Sequence, residues 1–213
     1  MLERLDEIDW STLVHAYGEA SDVPGLIRAL VSPDAEERDS AYGELFANIW
    51  HQGTVYEASV HALPFLIDLL EAGGTPERES LALLVASIMS GRGYYEVHFA
   101  KDRINPFTGK PVDPSLDIDA RLLEEKKVVA GVRERGARAV PLLLPFLKDE
   151  VGDVRSGVAQ ALAEYPSQAA STAPAIRAAL AVEPDEEVRL VMRAALQDLA
   201  KSSPSQVTAP ASR

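Results

Sequence analysis

PLLLPFLKDEVGDVRSGVAQALAEYPSQAASTAPAIRAALAVEPDEEVRLVMRAALQDLA, residues 141–200, carries one arrangement twice. Two residues after Pro141 stands Leu143, and six after it Leu147; Ile176 and Leu180 hold the same places after Pro174. Arg155 follows the first proline by fourteen residues, and Arg189 follows the second by fifteen. Three residues beyond each arginine come Val158 and Met192, and seven beyond come Leu162 and Leu196. Offsets of three, four and seven place side chains on one face of a helix of about 3.6 residues per turn. Each copy therefore predicts an amphipathic helix, a short turn and a second amphipathic helix.

The same spacing extends toward the N-terminus. Pro24 is followed by Leu26, Leu30, Arg38, Ala41 and Leu45, and Pro64 by Leu66, Leu70, Arg78, Leu81 and Val85, in the same register. Turn chemistry separates the two helices of each pair: Ser32-Pro33-Asp34, Gly73-Gly74-Thr75-Pro76, Lys148-Asp149 and Glu183-Pro184-Asp185. Asp34, Thr75 and Asp185 are the expected N-caps of second helices, and acidic residues just inside those helices favour the dipole. One pair cannot bury its apolar stripe alone, so the pairs must stack over a continuous core. The expected units are 22–50, 54–91, 137–165 and 171–200, inside one domain spanning 1–200.

This pattern resembles the HEAT family of α-solenoids. The likeness is carried by the first-helix prolines and by the Val-Arg or Glu-Arg near the start of each second helix. Asp153-Val154-Arg155 and Glu187-Val188-Arg189 match well, whereas Glu37-Arg38 and Glu77-Arg78 lack the valine. The resemblance covers about residues 22–200 and implies an all-α, right-handed α-α superhelix of HEAT or armadillo-like outline, with about four helical pairs. It also implies that Asp and Arg side chains tie successive units together, and that the second helices line a concave face. The repeated prolines are start or kink signals in first helices.

Two places break the repeat. Successive anchor prolines lie 40, 77 and 33 residues apart, and the excess is an insertion at 91–136. Its first part, 91–117, includes Asn105-Pro106-Phe107-Thr108-Gly109-Lys110-Pro111 and cannot be one continuous helix. Residues 119–135 then read as an added helix with Leu122, Leu123, Val129 and Val132 as its stripe. A loop of this length is either an ordered binding loop or a mobile insertion. The other break is Trp50-His51-Gln52-Gly53-Thr54-Val55-Tyr56, where Gly53 reads as a C-cap glycine and Thr54 as the next N-cap. His51 and Gln52 either satisfy the last helical carbonyls or face a partner. Inter-repeat loops of a solenoid fall on one edge. His51, Gln52 and Tyr56 should therefore share a ridge with Tyr94, Tyr95 and His98, which makes these six the candidate partner-binding residues.

At the chain ends, Trp10, Leu13, Val14 and Tyr17 at helical spacing predict an N-terminal cap helix over 10–20. The Ser-, Pro- and Ala-rich stretch 201–213 predicts a disordered tail.

Composition narrows the function. Apolar residues make up 46% and charged residues 25% of the 213, the balance of a folded domain, and the 6% aromatic content suits close helix packing better than a β-sandwich. With 33 acidic against 21 basic residues the net charge is −12, and the second-helix segments carry most of it. That balance disfavours nucleic acid, whose binders cluster Lys and Arg, and favours a basic protein or peptide partner. The absence of cysteine excludes disulfides and thiolate chemistry. The four histidines (His15, His51, His61, His98) are scattered, and no phosphate loop or nucleophile elbow is present, so neither metal nor cofactor is expected. Carboxylate pairs such as Glu36-Glu37 and Glu186-Glu187 sit in first turns, where the helix dipole accounts for them. The longest apolar runs are about half of the ~18 residues a membrane helix needs, and the acidic start is no secretory signal, so a cytoplasmic monomer is expected.

A non-enzymatic interaction module follows most directly. A bacterial immunity protein that neutralises a basic nuclease toxin would fit the size and charge, as would a scaffold subunit of a larger assembly. The resemblance also admits enzymes, since HEAT-like folds occur in bilin lyases and alkylpurine DNA glycosylases. The second of these would want a basic cleft, contrary to the charge, and no residue pattern asks for a tetrapyrrole.

Overall fold

The structure, a computed structural model, describes residues 2–99, 109–111, 113 and 115–202. Among these residues ten α-helices dominate: α1 (Val23–Ala29), α2 (Ala35–Asn48), α3 (Glu57–Ala72), α4 (Arg78–Ser90), α5 (Tyr94–Phe99), α6 (Ile118–Gly136), α7 (Val140–Leu143), α8 (Gly152–Ala163), α9 (Ala169–Leu180) and α10 (Glu186–Ser202). Two short antiparallel hairpins join them: β1 (Val14–His15) with β2 (Gly18–Glu19), and β3 (Trp50–His51) with β4 (Thr54–Val55).

The helices form two layers. α2, α4, α8 and α10 pack one on the next, while α1, α3 and α6 line up beside them, and the 144–148 turn continues that row to α9. Within units, α1 packs on α2, α3 on α4 and α9 on α10, which is a helical-repeat solenoid. One core runs through it. Of the sixteen repeat positions read from the spacing, only Leu26, Leu180 and Leu196 are half-buried, and the rest are buried. The anchor prolines act in two ways: Pro24 and Pro141 occupy the first turns of α1 and α7, whereas Pro64 and Pro174 lie inside α3 and α9. Pro141 and Pro145 each lack the N–H a continuous helix needs, and residues 137–148 accordingly divide into 3-10, α and 3-10 turns.

The repeated arginines span units. Arg38 gives Glu77 two hydrogen bonds of 2.7 Å and a third, of 2.8 Å, to the Ser32 carbonyl. Arg155 repeats this with Glu183 at 2.7 Å twice and the Asp149 carbonyl at 2.8 Å. The acceptors are glutamates of the following unit, not the aspartates the resemblance implied. Arg189, in the last unit, turns back to the Glu183 carbonyl at 3.0 Å and to Glu186. Arg78 lies over the Phe146 ring, 5.7 Å from its centre, so a cation–π contact takes the place of the ion pair.

Four local expectations are corrected. The N-terminal cap is not a helix over 10–20. Leu2–Glu7 and Trp10–Thr12 are 3-10 turns, and the chain reverses in the β1–β2 hairpin at Gly18, whose φ of 126° only glycine adopts freely. Trp10 is buried with its indole N–H on the Leu5 carbonyl (2.8 Å), while Val14 and Tyr17 remain exposed. Thr75 does not cap α4. Its hydroxyl donates instead to the Leu69 carbonyl (3.1 Å), and the helix begins after Glu77, whose φ is 45°. Asp34 and Asp185 do cap, accepting from Glu36 N (2.9 Å) and Glu187 N (2.8 Å). Gly53 and Thr54 are hairpin residues instead of a C-cap and an N-cap. Finally, Lys201 and Ser202 complete the last turn of α10, and residues 203–213, the rest of the expected tail, lie outside the described residues.

Candidate functional site

The β3–β4 hairpin turns through Gln52 (φ 49°) and Gly53 (φ 91°), and positive φ at both central residues is what a two-residue turn with the right strand twist requires. This turn places Thr54, almost wholly buried, beneath two neighbours. Its hydroxyl donates to the His51 carbonyl at 2.7 Å and lies 2.8 Å from the Tyr56 hydroxyl. Thr54 has one hydroxyl hydrogen, already used on His51, so Tyr56 is the donor of the second bond. Tyr56 also precedes α3, where the Ser59 hydroxyl accepts from Tyr56 N at 2.8 Å.

The start of the insertion adds a third strand-like segment against this hairpin. Arg92 N donates to the Gly53 carbonyl and Val55 N to the Arg92 carbonyl, both at 2.9 Å. Arg133 of α6 holds the end of α4 in place by hydrogen bonds to the Met89 and Gly91 carbonyls. The chain then enters α5, one and a half turns long, whose first amides are received by a side chain from thirty residues downstream. Glu125 of α6 accepts Tyr95 N at 2.7 and 3.0 Å and Glu96 N at 3.1 Å. Gly93 makes this possible, since a Cβ there would overlap the Glu125 carboxylate.

Between these elements lies a cavity of about 500 Å³, within the range of ligand-sized sites. All six residues singled out from the sequence line it: His51 and Gln52 on the hairpin turn, Tyr56 before α3, and Tyr94, Tyr95 and His98 on α5. Val14 and Ala16 of the N-terminal hairpin close one side, and Arg121, Glu124, Glu125 and Val128 of α6 close another. The neighbourhood expected from one-edge loop geometry therefore exists. The inserted loop contributes its first turns, and residues 100–108 lie outside the described residues.

The walls are aromatic. Tyr94 meets Tyr95 edge-on with centroids 5.4 Å apart and leans on His98 at 4.6 Å. Exposed Tyr17 stands edge-on to His51, a wall residue, at 5.4 Å. His51 Nδ1 lies 3.2 Å from the Ala47 carbonyl, so the expected contact with a terminal helical carbonyl coexists with its place in the wall. Burial pushes the Tyr56 and Tyr94 hydroxyls above their ordinary pKa. Burial also raises the Glu125 carboxyl, against the opposing pull of the α5 amides.

Sequence reasoning missed the α6 contribution entirely. Glu125 and Gly93 are separated by more than thirty residues, and no periodicity connects them. Gly93 is a local signal that something approaches the backbone closely there. Among the described residues no cluster of His, Cys, Asp or Glu is arranged to hold a metal ion, and no helix is long and apolar enough to cross a membrane.

No family model matches the chain, and neither does any curated protein. Among solved structures, a designed armadillo repeat protein aligns over 83% of this chain and 99% of its own, at 18% identity and a TM-score of 0.25.

Proposed function

We propose that this protein is a non-enzymatic interaction module of HEAT type that holds a basic protein or peptide at its hairpin edge. The observation that carries the reading is the convergence of both departures from repeat regularity on one aromatic-walled cavity. A solenoid core has no need of either, and rigid scaffolds characteristically present recognition residues on such loops. Tyrosines supply large contact area with few rotors to freeze. The net charge of −12 would steer a cationic partner toward the molecule and disfavour nucleic acid. For the enzymatic alternatives, the carboxyl with raised pKa is Glu125, and both its oxygens are engaged by backbone amides of α5. That supports a capping role over general acid–base work, which needs a carboxyl free to reach substrate.

The test starts from partners that copurify with the full chain, identified by mass spectrometry and then remade pure. Tyr94→Ala with Tyr95→Ala should raise the Kd of such a partner by tenfold or more, the effect expected of buried aromatic anchors, in roughly the 1–4 kcal/mol range. Neutralising the exposed Glu36, Glu37 and Asp39 of α2 should slow association while leaving the off-rate nearly unchanged. Full affinity without the two tyrosines, beside strong loss in the α2 variant, would move the site to the second-helix face and overturn the proposal.

A further inference from the structure

We infer that the cavity between the hairpin, α5 and α6 is a receptor for a guanidinium group, the side chain of an arginine on the bound protein or peptide. This rests on the interaction-module reading above and deepens it by naming what enters the cavity.

The hydrogen-bonding inventory comes first. The free amides at the start of α5 would ordinarily attract an anion, but Glu125 already occupies them at 2.7 to 3.1 Å. Just before α3, the Tyr56 amide is likewise taken up within the chain, by the Ser59 hydroxyl at 2.8 Å. These elements leave several acceptors at the cavity. Glu57, exposed in the first turn of α3, has no ion-pair partner among the described residues. Each Glu125 oxygen keeps lone-pair capacity beyond its amide bonds. The Tyr56 hydroxyl spends its hydrogen on Thr54 and presents only lone pairs.

Charge points the same way. Glu57, Glu124 and Glu125 line the cavity against a single arginine, Arg121, which is exposed and lies three and four residues before the two α6 glutamates. Lys127 offsets Glu124 at 2.8 Å on the outside, and the balance left around the cavity is negative. Aromatic side chains make up much of the wall, and the quadrupole of such rings attracts cations; Tyr94 sits against both Tyr95 and His98. A guanidinium suits this site better than an ammonium. It is planar enough to lie on a tyrosine face, is weakly hydrated, and can give two parallel hydrogen bonds to one carboxylate.

The experiment uses the intact chain and the tripeptide Gly-Arg-Gly, blocked at both ends, with lysine, citrulline and glutamate counterparts. Calorimetry gives the affinities and amide chemical shifts give the location. The arginine peptide should shift the amides of residues 51–57 and 94–98. Citrulline, which has the same shape without the charge, should bind about tenfold more weakly, and glutamate should not compete. Glu57→Gln, at an exposed position where the fold is not at stake, should weaken the arginine peptide several-fold while leaving thermal unfolding unchanged. Equal binding of citrulline and arginine, shifts confined to other residues, or an unaltered Glu57→Gln affinity would each overturn the inference. The two readings fail separately. If a copurified partner needs Tyr94 and Tyr95 yet binds undiminished after its own arginines are replaced by glutamine, the interaction site stands and the guanidinium assignment falls.

Discussion

Glu183→Gln should cost this protein more than any other single charge removal between units. Both side chains of the Arg155–Glu183 pair are nearly out of solvent, at 12% and 2% exposure, and they meet through two hydrogen bonds of 2.7 Å. Glutamine keeps the shape but presents an amide donor to a guanidinium that has only donors. One charge-assisted bond is lost, and Arg155 is left charged with backbone carbonyls alone to compensate it. Breaking one side of a buried pair costs about 3–5 kcal/mol when the partner is stranded, and the retained amide oxygen lowers this to roughly 2–3 kcal/mol. For a chain of this length that corresponds to a melting temperature lower by about 5–10 °C. The equivalent Glu77→Gln should cost about 1 kcal/mol or less, because Glu77 is 37% exposed and solvent screens its pairing. The Arg155 hydrogen bonds hold the Glu183 carboxyl below its ordinary pKa of 4.5. A depressed carboxyl contributes stability above its ordinary value and loses it as pH falls through the depressed one. The gap between wild type and Glu183→Gln should thus be full at pH 7 and close in acid below pH 4.5. Urea unfolding followed by far-UV circular dichroism reads the total, and hydrogen exchange reads whether α9 and α10 open alone, as end units of repeat arrays do. Equal losses for the two variants, or a gap that widens in acid, would refute the assignment of these arginines as inter-unit ties graded by burial.

Leu162→Ala removes a fully buried side chain of α8 and should cost about 2–5 kcal/mol in the same assay, with an unchanged helical spectrum. Gly93→Ala should expel the Glu125 carboxylate from the start of α5. The Tyr95 and Glu96 amides should then exchange at least tenfold faster while global stability falls by less than about 1 kcal/mol. Unchanged protection of those two amides would show that Glu125 does not hold α5.

The repeat was legible because it is local and redundant. A proline, two apolar residues, an arginine and two more apolar residues recur four times, and each set lies on one helical face whatever surrounds it. Stacking such faces leaves little freedom, so thirteen of the sixteen positions are buried without further information. The edge location of His51, Gln52, Tyr56, Tyr94, Tyr95 and His98 followed from the same topology, which puts successive inter-repeat loops side by side.

The elements that misled were those where a short pattern fits two conformations. Trp10, Leu13, Val14 and Tyr17 have helical spacing, yet a positive-φ reversal at Gly18 and the Ala16 amide's bond to the Asn48 carbonyl (3.0 Å) favour a hairpin docked on the first unit. Gly53 serves a helix terminus and a hairpin turn equally well, and here it sits in a turn with the Arg92 segment hydrogen-bonded alongside. The choice of Glu77 and Glu183 as partners of the arginines depends on where the next unit's turn arrives, a distance fixed by packing. The α6 wall of the cavity is the furthest from any sequence signal. Glu125 reaches α5 because α6 lies against α3, at a closeness that Gly131 permits beside Val60. Helix-to-helix approach of that kind is set by the whole packed layer, and no window of neighbouring residues encodes it.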